Sequence, residues 1–340
     1  MLNNRKVKDV LFTAAFPVGV FILMEIICFV FKGRHLITSM LDVKTLVRNT
    51  GVSAIIAFAL SFNLSCRRFD LSLGAQRLAG TIVGGVIAMK LSLSGLWLLL
   101  FALAFGLLFG FITGMIFVIT RVPPMVLGVG LGLVWECVPY QVSQGKGLNL
   151  FGVDGVGILT DTAFTIIIMV VIAVFVSVIM NRTKFGCEMK AIQGSQNIAQ
   201  NSGINVFRHA VLCYTLAGGL VCIAGIIDTA FQTQMSSTLG LTSNSVVVSN
   251  MFAMMLGSFI GEKSNQSTGV IVASLTLCTF SYGLTLMELS EANMNVVNQT
   301  VFVCFLVFLA NRYFFVRRRK ERARISEAQE ERKRLASVAC

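Results

Sequence analysis

The sequence predicts an all-α polytopic membrane protein of about ten transmembrane helices, with both termini on the cytoplasmic side. Three observations predict it. Only 13% of the 340 residues are charged, where a water-soluble domain of this length carries roughly 25%. Hydrophobic residues make up 55%, and the mean hydropathy is +0.80. Apolar runs near 20 residues recur between charged breaks, the length a helix needs to cross a hydrocarbon layer of roughly 30 Å. The 30 glycines and 27 phenylalanines show none of the alternation of an outer-membrane barrel, which leaves a helical bundle.

The first run, 10–31, follows the basic start "MLNNRKVKD". It is longer than a signal-peptide core and no small-x-small cleavage site follows, so it reads as a retained helix. Further runs fall at 47–64, 76–90, 95–119, 125–143, 162–180, 211–230, 244–260, 268–287 and 294–315, the third and eighth being the shortest signals. The chain thus divides into a cytoplasmic start, 1–9, a transmembrane domain, 10–315, with a long inner loop, 181–210, and a charged tail, 316–340. In the tail Glu330 and Arg334 stand at helical i, i+4 spacing, and its basic start favours anionic headgroups. It reads as a solvated stop-transfer tail.

Basic residues orient the spans. With the N-terminus inside, inner segments carry Arg5, Lys6, Lys8, Arg67, Arg68, Arg77, Arg121, Arg182, Lys184, Lys190, Arg208, Lys263 and the run from Arg312 onward, most of the 28 lysines and arginines. The net charge of +12 is this bias plus the tail, and calls for a lipid bilayer rather than a nucleic acid.

Little here performs chemistry. A Walker loop is absent; "GSFIGEKS", Gly257 to Ser264, fails the spacing because Glu262 intrudes. There is no H-E-x-x-H and no G-x-S-x-G elbow. The nine cysteines are scattered without a C-x-x-C pair, and His35 and His209 are read as lacking a carboxylate or cysteine at ligand spacing. The expectation is therefore no catalytic residue, no metal and no cofactor held by this chain. The cysteines are expected to act as small apolar packers.

The informative residues are polar ones at membrane depth. Glu25, Glu136 and Asp228 fall within spans, where an ionisable group costs about 2.5–3.5 kcal/mol on insertion scales and normally faces the bundle interior. Glu136 belongs to "LGVGLGLVWECVPYQVSQG", and a helix broken at Pro139 would place Trp135, Glu136, Tyr140 and Gln141 along a hydrophilic path. In "LSCRRFDLSLGAQRLAG", Leu64 to Gly80, charges interrupt one helix before Ser72 and Gly74 restart the next. Asp70 or Ser72 can cap the restart. This is either a charged inner turn or a discontinuous element beside the path.

The inner loop carries "FGCEMKAIQGSQNIAQNSGINVFRH", Phe185 to His209. Ser195 can N-cap a short helix over Gln196, Asn197, Ile198, Ala199, Gln200, Asn201 and Ser202, with Gly203 placed for a left-handed C-cap. With Ile198 and Ala199 its only apolar members, it suits docking into a protein groove better than lying on lipid.

Three segments resemble the permease subunits of bacterial ABC importers for ribose, xylose, arabinose and related small polar solutes. "FDLSLGAQRLAG" is similar to that family's Asp-Leu-Ser segment at Asp70, Leu71, Ser72 and Gly74. "GLLFGFITGMIFVITRVPPMVLGVG" resembles its Gly-rich span and basic-apolar-Pro-Pro turn, here Arg121 to Pro124. "FGCEMKAIQGSQNIAQNSGINV" resembles its cytoplasmic coupling segment. The resemblance spans about residues 45–315. It implies a type II-like importer permease with a second permease subunit, an ABC ATPase below that binds ATP and Mg, and an extracytoplasmic solute-binding protein above. The 195–203 helix would sit in a cleft of the ATPase and transmit its closure to the path. The bacterial cytoplasmic membrane is the implied location. Arg67, Arg68 and Arg77 stand where the family has small residues, and Gln196, Asn197 and Gln200 replace its proline, acid and base, as in a divergent half of a heterodimer. The residues by themselves also admit a proton-coupled secondary transporter using Glu25, Glu136 or Asp228, or a membrane scaffold.

Overall fold

The computed structural model describes residues 2–262, 264–290 and 292–311, with side chains from residue 12 onward. The expected tail, 316–340, lies outside the described residues. Helices occur at all ten expected places: α1 (Leu2–Lys32), α2 (Met40–Ser65), α3 (Ser72–Lys90), α4 (Leu96–Thr120), α5 (Pro124–Ser143), α7 (Thr162–Arg182), α10 (Val206–Gln232), α11 (Asn244–Gly261), α12 (Gln266–Leu286) and α13 (Ala292–Asn311). Shorter pieces join them: β1 (Leu148–Asn149), α6 (Gly157–Thr160), α8 (Lys184–Gly194), α9 (Gln196–Asn201) and β2 (Gln234–Met235). Among the described residues, nine of the long helices are apolar enough to span a bilayer. The exception is α3, whose Gln76 and Arg77 are buried inside the bundle.

Met1–Glu288 form one compact unit, and Leu289–Cys340 a second whose described part holds α13. Within the first unit, α2 and α10 are the most enclosed spans. α10 lies closest to α4 because Gly106, Gly110 and Gly114, one turn apart, leave no side chain between the backbones. A Cβ on Gly114 would come within 2.9 Å of the Val211 Cα, and Gly110 faces the Tyr214 carbonyl. Small residues at this spacing allow the close approach that drives helix association in lipid. α7 instead turns Ile167, Val170, Val171, Val174, Phe175 and Val178 outward, an apolar face that suits lipid and not water. The protein is a multi-pass membrane protein.

Two departures from regular helix position the site. The chain between α2 and α3 is a tight turn in which Arg67 adopts φ 58°. Residues 236–243, between β2 and α11, run without helix against α3 and α5. Non-helical backbone is tolerated in a membrane protein only where protein or a water-filled cavity surrounds it. β2 pairs with β1 in an antiparallel ribbon, Leu148 opposite Met235 and Asn149 opposite Gln234.

Candidate functional site: a buried polar junction and a capped loop helix

The α2–α3 turn is built by Asp70. Its Oδ1 accepts the Ser72 backbone N–H at 2.8 Å and the Ser72 hydroxyl at 2.6 Å, and Gln76 Nε2 donates to Ser72 Oγ at 2.7 Å. Gly74 faces the Ser243 carbonyl so closely that any Cβ would overlap it. On α5, Gly128 meets the Leu71 backbone N–H and the Asp70 carboxylate, and Gly132 meets the Leu241 side chain. One turn further, Glu136, with 0% exposure, accepts Leu241 N–H at 2.7 Å, Ser243 N–H at 3.1 Å and Ser243 Oγ–H at 2.5 Å. Ser243 precedes α11 without capping it through its own side chain. Glu136 supplies the missing acceptor from another helix and places a carboxylate at the positive end of α11.

The fold thus gathers Asp70, Ser72, Gly74 and Glu136 around the 241–243 backbone. Trp135 belongs to a neighbouring layer, its Nε1 donating to Thr113 Oγ1 at 3.0 Å and its ring 4.9 Å from Phe109. Tyr140 and Gln141 are exposed near the far end of α5 and do not join the junction. Nor does Pro139 break the helix, as expected from sequence: α5 continues through it to Ser143. A proline costs one backbone bond and tilts the preceding turn, and the surrounding packing carries the helix past it. In the 64–80 stretch Asp70 and Arg68 are buried and only Arg67 is exposed. Asn63, Arg68 and Asp70 line a common small cavity. Both amide atoms of Asn63, Arg68 Nη1, Asp70 Oδ2 and Gln76 Oε1 have no hydrogen-bond partner among the described residues. Such groups are rare in an apolar interior and mark a polar seam.

The other intramembrane acids are engaged. The partly exposed Asp228 pairs with the buried Arg77 and accepts from Gln232 Nε2 at 2.8 Å, while the Arg48 guanidinium lies over the Phe231 ring. Glu25 accepts the Leu36 N–H at 2.8 Å and pairs with His35 Nδ1 at 2.6 Å, folding the chain after α1 back onto it. His35 therefore has a carboxylate partner, contrary to the expectation from spacing.

Between α7 and α10 the loop is ordered by caps. Thr183 Oγ1 accepts the Gly186 N–H at 3.4 Å to start α8, and Gly186 sits against the Met180 and Ile179 carbonyls where no Cβ fits. Ser195 Oγ accepts the Ile198 N–H at 3.5 Å to start α9, and Gly203 follows at φ 83°. Ala199 packs inward, Gln196 Nε2 donates to the Cys66 carbonyl at 3.3 Å, and Ile198 points outward at 68% exposure. Lys190, Gly194, Ser195, Ile198 and Ser202 border a concavity of about 340 Å³. Asn197, Gln200, Asn201, Ser202 and Gly203 are exposed.

Behind this helix His209 meets Cys213 and Cys66, whose ligand atoms all lie within 4.8 Å of one another. The view of His209 as lacking a cysteine partner is thereby corrected. Cys213 stands one turn along the same helix, a spacing visible in the sequence, whereas Cys66 arrives from α2 through the fold alone.

The sequence from 44 to 310 matches the family of the branched-chain amino acid transport system permease component. The chain belongs to that permease family. Among curated relatives, the permease is 29% identical over 269 residues to the ribose import permease protein RbsC of Bacillus subtilis, covering 77% of this chain and 82% of that one. It is 24% identical to RbsC of Escherichia coli K12, over 75% and 81% of the two chains. To the D-allose transport system permease protein AlsC of the same organism it is 23% identical, over 79% and 84%. A solved structure described as a metal-chelate type ABC transporter in an inward-facing conformation superposes with a TM-score of 0.52 at 13% identity, covering 88% of the permease and 99% of that chain. That likeness establishes the fold.

Proposed function

We propose that the permease is the membrane-spanning subunit of an ATP-driven importer in the bacterial cytoplasmic membrane. It forms the path for a small polar solute, a sugar or sugar-like molecule, and couples to a separate ATPase through residues 195–203. A second permease subunit and an extracytoplasmic solute-binding protein complete the assembly, with ATP and Mg held by the ATPase. The solute class rests on the relatives whose names carry ribose and allose.

The observation that carries the reading is α9. A helix of six residues is marginal alone. This one is capped at its start, pinned inward by Ala199 and Gln196, and presents Ile198 and a row of amides outward beside a concavity. A preformed knob of this kind suits a groove on a soluble partner. The buried polar seam at Asp70, Ser72 and Glu136 supports a path on the neighbouring elements, and the exposed Tyr140 and Gln141 suit a face completed by a second permease subunit. No observation favours proton-coupled transport: Glu25, Glu136 and Asp228 each serve a structural bond.

The test is co-purification and uptake. An ATPase subunit should accompany the detergent-solubilised permease and be lost when 195–203 is replaced by a Gly-Ser linker. Uptake that survives loss of the ATPase but collapses with a protonophore would overturn the proposal.

A further inference from the structure

We propose that Cys66, His209 and Cys213 form a three-coordinate site for a soft monovalent cation, Cu⁺, at the junction of α2, α8 and α10. The inference is independent of what the permease transports.

The imidazole is already set as a metal ligand would be. His209 Nε2 lies 3.2 Å from the Phe185 carbonyl, which can only accept, so the ring proton sits on Nε2 and the Nδ1 lone pair faces the sulfurs. Metal-binding histidines characteristically donate their second N–H to a carbonyl or carboxylate, which fixes tautomer and ring orientation. The Phe185 ring stacks on the imidazole at 4.3 Å and holds that orientation further. Nδ1 stands 3.4 Å from Cys213 Sγ. Two ligands on one three-coordinate ion, sulfur at about 2.3 Å and nitrogen at about 2.0–2.1 Å, lie about 3.8 Å apart at the 120° of a trigonal site, a few tenths of an ångström wider than this pair stands. The Cys66 sulfur, from the residue that closes α2, completes the triangle within 4.8 Å.

The choice of ion follows from ligand number, dryness and charge. Cys66 and Cys213 have 0% exposure and His209 2%. Zinc is almost always four-coordinate in a closed site, and no fourth His, Cys, Asp or Glu ligand joins these three among the described residues. Thiolate sulfur selects Cu⁺ and imidazole also suits copper. Binding releases the two thiol protons, leaving two thiolates. With one Cu⁺ and the buried Arg68 guanidinium, close enough to act electrostatically on both sulfurs, the cluster sums to zero. With Zn²⁺ it would bury a net positive charge.

The site also touches the cytoplasmic loop twice. Phe185, on α8, accepts from His209, and Gln196, on α9, donates to the Cys66 carbonyl. Occupancy would tie α8 and α9 to α2 and α10.

The full-length permease is purified in detergent with Cys137, Cys187, Cys304 and Cys340 changed to serine. It is titrated anaerobically with Cu⁺ held by a competing chelator. The expected result is one Cu⁺ per chain with a thiolate-to-copper absorption band, and at least a tenfold loss of affinity in Cys66→Ser, Cys213→Ser and His209→Asn. A second measurement needs no site variant. Because Cys66 and Cys213 are buried, alkylation is run under mild denaturant for long enough that the copper-free protein reacts at both; Cu⁺ should then slow both, read by mass spectrometry, while leaving Cys28, Cys222 and Cys278 unchanged. Equal copper uptake by the parent and the three variants would overturn the site, as would absence of protection. Stoichiometric Zn²⁺ binding in preference to Cu⁺ would overturn the assignment of the ion.

Discussion

Glu136 on α5 holds the backbone N–H of Ser243 at 3.1 Å, joining residues 107 apart in the chain at the point where α11 begins. The same carboxylate takes the Leu241 N–H and the Ser243 hydroxyl, so three donors depend on one side chain. Glu136→Ala leaves all three without it, and each buried orphan costs about 1–3 kcal/mol. The expected outcome is a lower thermal midpoint in detergent and new proteolytic cleavage within 236–243. Glu136→Gln keeps one acceptor oxygen and should fall between the two.

The Arg77–Asp228 pair should behave as a partly buried ion pair. Asp228→Asn strands Arg77 within the bundle at a cost of about 3 kcal/mol, the low end for breaking a buried pair because Asp228 retains some exposure. The double variant Arg77→Met, Asp228→Leu should recover much of that loss. A double-mutant cycle on thermal midpoints measures the coupling; additive effects would contradict the pairing.

Asp70 should give the folded state a pH dependence. Burial pushes its carboxyl up from its ordinary value of 3.8 to about 6, against the opposing bonds from Ser72. The folded chain therefore holds this proton more tightly than the unfolded chain. Its contribution is fully present below pH 3.8 and is lost as pH rises through about 6. Asp70→Asn retains an acceptor for Ser72 and cannot ionise. The thermal midpoint of the parent should fall relative to this variant as pH rises from about 3.8 to about 6, by several degrees and about 3 kcal/mol over the whole window.

Gly186 should tolerate no side chain. A Cβ there would overlap the Met180 carbonyl at the α7–α8 corner, and overpacking of this kind costs about 1–3 kcal/mol. Gly186→Ala is expected to displace α8, and α9 with it. The measurement is ATPase co-purification beside thermal midpoint, with Gly157→Ala on α6 as control because a Cβ there meets open space and lies outside the 181–210 loop.

Nine of the ten long helices were legible because each carries an apolar run near 20 residues, a signal local to the chain; α3, with Gln76 and Arg77 inside it, gave a shorter run that missed its first turn. Ser195 and Gly203 were legible for the same reason: a cap and a left-handed residue act within one turn. What required the fold was pairing across distance. Nothing near Glu136 points to Ser243, and nothing near Arg77 points to Asp228, 151 residues later. Pro139 misled because backbone propensity yields to packing inside a bundle. Tyr140 and Gln141 shared a stretch with Glu136 but not its surroundings. Cys213 was the exception, a turn from His209 and open to view.

The 236–243 segment is fastened to one helix at both ends. At its start, the β1–β2 ribbon ties it to the chain that leaves α5 five residues before β1; at its finish, Glu136 of α5 grips it again. Helix, ribbon and segment make a closed stirrup, so α5 cannot shift along its axis without carrying the beginning of α11. For a protein whose family moves solutes, that removes a degree of freedom. Motion has to be sought between this rigid frame and its neighbours, and not inside it.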